Sequence, residues 1–169
     1  MSDPLFNYYL AVPWKADYVR SKKDPNRCIL CEIAQKKSSE DSWEVFRDNK
    51  VIILLNKFPY TPGHLLIAPL KHFEEFTDLP QVLIARLTLI LQRSILLLNR
   101  THNPMGFNIG LNLGEAAGGS IRHIHWHVVP RYRGDLNFMD ILRTRTLIET
   151  LDETLAKLQK HSNLVADSP

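Results

Sequence analysis

The chain has 169 residues, 44% of them apolar and 23% charged, the proportions of an ordinary globular domain rather than a disordered or fibrous chain. A net charge of +3 is too small to mark a nucleic-acid surface, so no nucleic-acid partner is expected. No apolar run reads as a membrane span and the N-terminus has no signal-peptide core, so the expected setting is the cytoplasm, without membrane contact.

Residues 1–27 are broken by Pro4 and Pro13 and dense in aromatics (Phe6, Tyr8, Tyr9, Trp14, Tyr18). That composition predicts a segment docked on the body or on a partner subunit. The body itself reads as one domain over 28–161. The two cysteines, Cys28 and Cys31, form a C-x-x-C pair rather than a disulfide framework, and they open a short helix over 28–34. Segments 43–47 and 51–55 flank Asp48-Asn49 and read as a hairpin. A proline-containing loop over 57–63 leads into a buried strand over 65–68, closed by Pro69. Leu83, Leu87, Ile90, Leu91, Ile95 and Leu98 then recur every three or four residues. That spacing predicts one long amphipathic helix over 79–100, with Pro80 in its first turn. Residues 106–113 read as a strand, and a turn around 114–119 follows. A second helix is predicted over roughly 138–160 from Leu142, Ile148, Leu151, Leu155 and Leu158, and residues 162–169 read as a disordered tail.

Between these elements stands Gly118-Gly119-Ser120-Ile121-Arg122-His123-Ile124-His125-Trp126-His127-Val128-Val129-Pro130. Strict alternation is the mark of a half-buried strand, so the histidines share one face while Ile124, Trp126 and Val128 share the other. Neighbouring histidines on such a face stand about 6.5–7 Å apart, the span of a phosphate with a ring on each side. The glycine pair lets backbone approach a ligand, and Ser120 adds a hydroxyl. This is the pattern of an anion site. Strands joined mainly by short turns make the whole an α+β domain with an antiparallel sheet.

The run from His123 to Val129 resembles the defining motif of the histidine triad family of nucleotide hydrolases and transferases, and the resemblance covers nearly the whole chain. Asn56 precedes His64 by eight positions, His64 sits in Pro62-Gly63-His64, Pro69-Leu70-Lys71-His72 follows, and Asn112 lies eleven residues before His123. The tail from Pro130 to Met139 and the opening Ala11-Val12-Pro13-Trp14 look most like the branch acting on diadenosine tetraphosphate. Other branches carry Gly-Gln ahead of the triad where this chain has Gly118-Gly119, which speaks against a phosphoramidase. Trp126 replaces a smaller aliphatic residue, on the face away from the chemistry.

The resemblance implies a fold of about five antiparallel strands with two main helices, and a homodimer formed through the long helix and the adjacent strand. It also implies cleavage of dinucleoside polyphosphates. His125 would attack the α-phosphorus and form a covalent nucleotidyl-histidine, with its other ring nitrogen held by the backbone carbonyl of His123. His127 would bond the phosphate or leaving group, and His64 would support the histidines. Asn56, Asn112, Gly118, Gly119 and Ser120 would orient the substrate, and a divalent cation could accompany its polyphosphate. In bacterial relatives a C-x-x-C pair and two histidines bind structural zinc, here Cys28, Cys31, His72 and His123. The rival functions are a nucleoside phosphoramidase and a non-catalytic nucleotide-binding module. His102, in Thr101-His102-Asn103-Pro104, reads as a solvated turn residue, and His161 as inert. Arg131, Arg133, Arg143 and Arg145 read as a solvated basic face rather than a polyphosphate site.

Overall fold

The computed structural model describes residues 27–35, 43–135 and 149–166. The aromatic segment expected to dock, the start of the second helix, and Arg143 and Arg145 lie outside the described residues.

A short helix α1 (Ile29–Ala34) precedes the hairpin of β1 (Glu44–Arg47) and β2 (Val51–Leu55). Asp48 makes that hairpin turn, its carboxylate accepting from the Lys50 and Val51 amides. Next come β3 (Leu65–Pro69), the long helix α2 (Gln81–His102), β4 (Gly106–Leu111), β5 (Trp126–Arg131) and α3 (Leu151–Lys160). The strands form one antiparallel sheet in the order β1-β2-β3-β5-β4, the expected architecture.

Alternation along the central strands divides the core between the two faces of this sheet. Val51, Ile53, Leu55, Leu65, Ile67 and Val128 meet Leu87, Ile90, Leu97 and Leu98 of α2 on one face. On the other, Ile52, Leu54, Leu66 and Ala68 pack with Leu30 of α1. Full burial of each such side chain is worth about 1.5–3 kcal/mol. Leu66 stands opposite His127 in the β3–β5 register, so the histidine lies on the α1 face. Trp126 points the other way, packing on the main core with its ring centroid 5.9 Å from that of Phe76.

Four expectations need correction. The long helix continues to His102, where Asn103 in a left-handed conformation (φ 47°) ends it, so His102 belongs to a helix rather than a turn. By length and composition α2 could cross a membrane, contrary to the expectation that no such run exists. It passes that test because Leu and Ile crowd its length, yet its apolar stripe is spent on the sheet, Arg86 pairs with Asp48 at 2.6 Å, and Arg93 donates to the Val165 carbonyl. The predicted second helix is interrupted at residues 149 and 150, and α3 starts at Leu151, where Thr150 and Glu153 form a reciprocal capping box. Finally, the tail is folded through residue 166: Ser162–Leu164 make a 3₁₀ turn and Val165 is fully buried in the main core.

Candidate active site and metal centre

His125 and His127 lie side by side on the α1 face, ring centroids 4.9 Å apart, closer than the strand repeat alone predicts. The strand starts only at Trp126, so His123 and His125 precede it. Three fixed hydrogen bonds decide where their protons sit. His125 Nδ1–H donates to the His123 carbonyl at 2.7 Å, which leaves Nε2 with its lone pair. His64, fully buried, receives the Tyr60 amide on Nδ1 at 3.1 Å. An amide nitrogen can only donate, so neutral His64 carries its proton on Nε2. That proton is donated to His127 Nδ1, 2.9 Å away. Neutral His127 therefore carries its own proton on Nε2. The two neighbouring histidines are held in opposite tautomers, one a lone-pair donor and the other a hydrogen-bond donor.

Asparagines complete the chain. Asn56 Oδ1 accepts from the Phe58 amide, which turns its Nδ2 toward His64 Nδ1 at 3.2 Å. Asn56 thus acts on His64. The Asn112 amide lies 3.3 Å from His127 Nε2. The atom at that distance is Nδ2; turned over about Cγ, the same amide would present Oδ1 to the proton that the Tyr60 amide fixes on His127 Nε2. The Tyr60 ring stacks against His64 and His127, with centroids 4.8 Å and 6.3 Å away.

The loop ahead of the triad is a tight one. Gly114 and Gly118 have positive φ, and the Gly119 amide donates to the Gly114 carbonyl at 3.0 Å. A Cβ on Gly119 would sit 2.7 Å from that carbonyl oxygen and 2.9 Å from the Asn112 carbonyl oxygen, so no other residue fits. Ser120 follows, partly buried.

His123 turns its side chain away from His125 and toward α1. Its Nε2–H donates to the Pro69 carbonyl at 2.9 Å, leaving Nδ1 bare, 3.5 Å from both Cys28 Sγ and Cys31 Sγ. His72 Nδ1 lies 3.3 Å from Cys31 Sγ while its Nε2 faces Glu74 at 3.3 Å. All four ligand atoms fall within 4.8 Å of one another. Bonds of about 2.0–2.3 Å in a tetrahedron put ligands roughly 3.5 Å apart, so these residues fit a four-coordinate metal. Both histidines present their outer nitrogen to an oxygen acceptor, the usual support of a metal-bound imidazole. Burial, with some help from His72, holds His123 neutral down to about 4, the state that ligates. Burial also raises the Cys31 thiol to about 11, assisted by the neighbouring Cys28 and Glu32, so without a cation it keeps its proton.

Sequence reasoning missed Tyr60, Thr61 and Tyr132, and misjudged His102. The His102 side chain is only 3% exposed; its Nδ1 lies 2.7 Å from Thr101 Oγ1 and its Nε2 3.4 Å from Glu149. Arg131 is engaged with Asp135 and Asn108.

A HIT domain model matches residues 37–134. An AP-4-A phosphorylase of Mycobacterium tuberculosis is 38% identical over 151 residues, covering 84% of this chain and 77% of its own length. Among solved structures, a zinc-bound histidine triad family protein from Mycobacterium smegmatis superposes with TM-score 0.68 at 29% identity, over 80% of this chain and 93% of its own. A histidine triad nucleotide-binding protein from Sulfolobus tokodaii gives the same TM-score at 26% identity, over 80% of this chain and 92% of its own. With its sheet, its paired histidines and more than half its length matched, this chain belongs to the HIT family.

Proposed function

We propose that the protein cleaves dinucleoside polyphosphates of the diadenosine tetraphosphate type through a nucleotidyl-histidine on His125. The opposite tautomers of His125 and His127 carry this reading. In the first step His125 Nε2 forms a bond to the α-phosphorus as the bond from that phosphorus to the bridging oxygen breaks. His127 Nε2–H donates a hydrogen bond to the departing oxygen and stabilises the charge that develops there. In the second step water or inorganic phosphate attacks, the P–N bond breaks with its electron pair returning to His125 Nε2, and the proton of an attacking water passes to solvent. The 38% identity to an AP-4-A phosphorylase favours phosphate as the acceptor. Asn112, Gly118, Gly119 and Ser120 would hold the phosphate oxygens, and Asn56 and His64 keep His127 in its donating tautomer. A divalent cation would travel with the polyphosphate.

Cys28, Cys31, His72 and His123 would hold zinc with every position filled by protein, so the ion supplies a cross-link between α1 and the sheet rather than a reactive site. His123 joins the two functions: its ring is a ligand while its carbonyl orients His125. The exposed Leu96 of α2 and Ile109 of the edge strand β4 would form the homodimer interface.

The test is turnover of diadenosine tetraphosphate by wild type and His125→Ala, with and without inorganic phosphate. ADP plus ATP formed only with phosphate identifies a phosphorylase; AMP plus ATP in water alone identifies a hydrolase. Turnover by His125→Ala at the wild-type rate would refute the covalent mechanism. Equal inactivity of both proteins with nucleotide still bound would leave a binding module.

A further inference from the structure

The main-chain ladder between β3 and β5 stops at Leu65 opposite Val128, one residue short of His64. Beyond that point two side chains continue the connection. Thr61 Oγ1–H donates to the Pro130 carbonyl at 2.7 Å, and Tyr132 Oη–H donates to the Pro62 carbonyl at 2.9 Å. The turn that delivers His64 is thus fastened twice to the end of β5, once from each side. It is also wedged from below, because Gly63 (φ 79°) lies so close to α2 that a Cβ there would be 3.0 Å from Leu98 and 3.3 Å from His102. The turn is closed by the His64 amide donating to the Thr61 carbonyl at 3.2 Å.

We propose that Tyr132 is a positioning residue for the hydrogen bond that His127 gives the leaving group, acting through the Pro62-Gly63-His64 turn. This inference rests on the nucleotidyl-transfer reading above. His64 determines which nitrogen of His127 holds the proton, and it does so over one bond of 2.9 Å. A displacement of a few tenths of an ångström in the turn lengthens that bond and loosens the aim of His127. The Tyr132 hydroxyl suits the task because it remains a donor: burial, together with the Glu149 carboxylate, pushes it up to about 12. Removing the hydroxyl leaves the ring, and its packing, in place while freeing the Pro62 carbonyl.

That hydrogen bond matters more as the leaving group becomes more basic and its oxygen holds more charge, so a defect in its aim has a signature that general loosening lacks. The experiment measures kcat, KM and Tm for wild type, Tyr132→Phe and Thr61→Val on aryl esters of adenosine 5′-monophosphate, with phenols of increasing pKa. Tyr132→Phe is expected to keep KM within a factor of about two, and to lose about 10-fold in kcat on the most basic phenol but under about 2-fold on the most acidic. Thr61→Val, which opens the other fastening of the same turn, gives the same pattern should Tyr132→Phe fold poorly. A uniform loss across the series, a change confined to KM, or no loss in either variant would overturn the proposal. Failure of the wild type to turn over any ester would instead overturn the nucleotidyl-transfer reading, and this role with it.

Discussion

Two histidine clusters share the α1 face of the sheet, and they are built on opposite principles. Around His127, donors and acceptors alternate: the Tyr60 amide donates to His64, and His64 donates to His127. Around His123 the ligand atoms converge instead, with two imidazole nitrogens and two sulfurs pointing at one another across 3.3–3.5 Å. An alternating chain sets proton positions and ends with a proton on His127 Nε2. A convergent set of this kind has the geometry to hold a cation. In each cluster a main-chain partner fixes one ring, the Tyr60 amide for His64 and the Pro69 carbonyl for His123.

Breaking the alternating chain should have the larger effect on rate. His127→Ala removes the hydrogen-bond donor to the leaving group and is expected to lower kcat by about 10²–10³-fold with the Tm little changed, measured on diadenosine tetraphosphate and by thermal melting. Cys31→Ser attacks the convergent cluster and should divide the effects the other way. Zinc content falls from one ion per chain toward zero by elemental analysis, and the Tm falls by roughly 5–15 °C because metal binding contributes directly to folding. Activity then declines only as far as His125 loses its anchor on the His123 carbonyl.

A third, smaller effect sharpens the contrast with a histidine outside both clusters. Thr101 Oγ1–H donates to the Leu97 carbonyl, so His102 must donate its Nδ1–H to Thr101 and turn a bare Nε2 toward Glu149. Burial lowers the His102 pKa, against the pull of Glu149; Lys157, facing the same carboxylate, opposes protonation further. The folded state therefore binds fewer protons here than the unfolded chain. Stability should be level above about pH 6.5 and fall as the pH drops below it, where the unfolded imidazole charges and the folded one does not. Melting temperatures across this range should lose part of their acid slope in His102→Gln; an unchanged slope would place the effect elsewhere.

The triad was legible from its period-two alternation, although the strand itself takes in only His127 and begins at Trp126; the long helix was legible because its leucines repeat at helical spacing. His102 was misread since Thr-His-Asn-Pro carries turn composition, although an asparagine one step past a helical stripe is also a helix C-terminus signal. The tail was misread because a single buried residue, Val165, holds it, and no periodicity advertises one contact. The offset of Asn56 from His64 marked it as a site residue, and its amide reaches the His64 ring. The tautomers could not be read from side chains at all: the Tyr60 amide and the His123 carbonyl that fix them are main-chain atoms, common to every residue type.

The central claim is that neighbouring histidines are held in opposite tautomers. Nitrogen-15 NMR of the histidine-labelled protein, assigned through single His→Gln variants, reads each ring nitrogen directly. The account predicts a proton on Nδ1 and a bare Nε2 for His125, and the reverse for His127. Both rings protonated on the same nitrogen, or His127 carrying its proton on Nδ1, would contradict it.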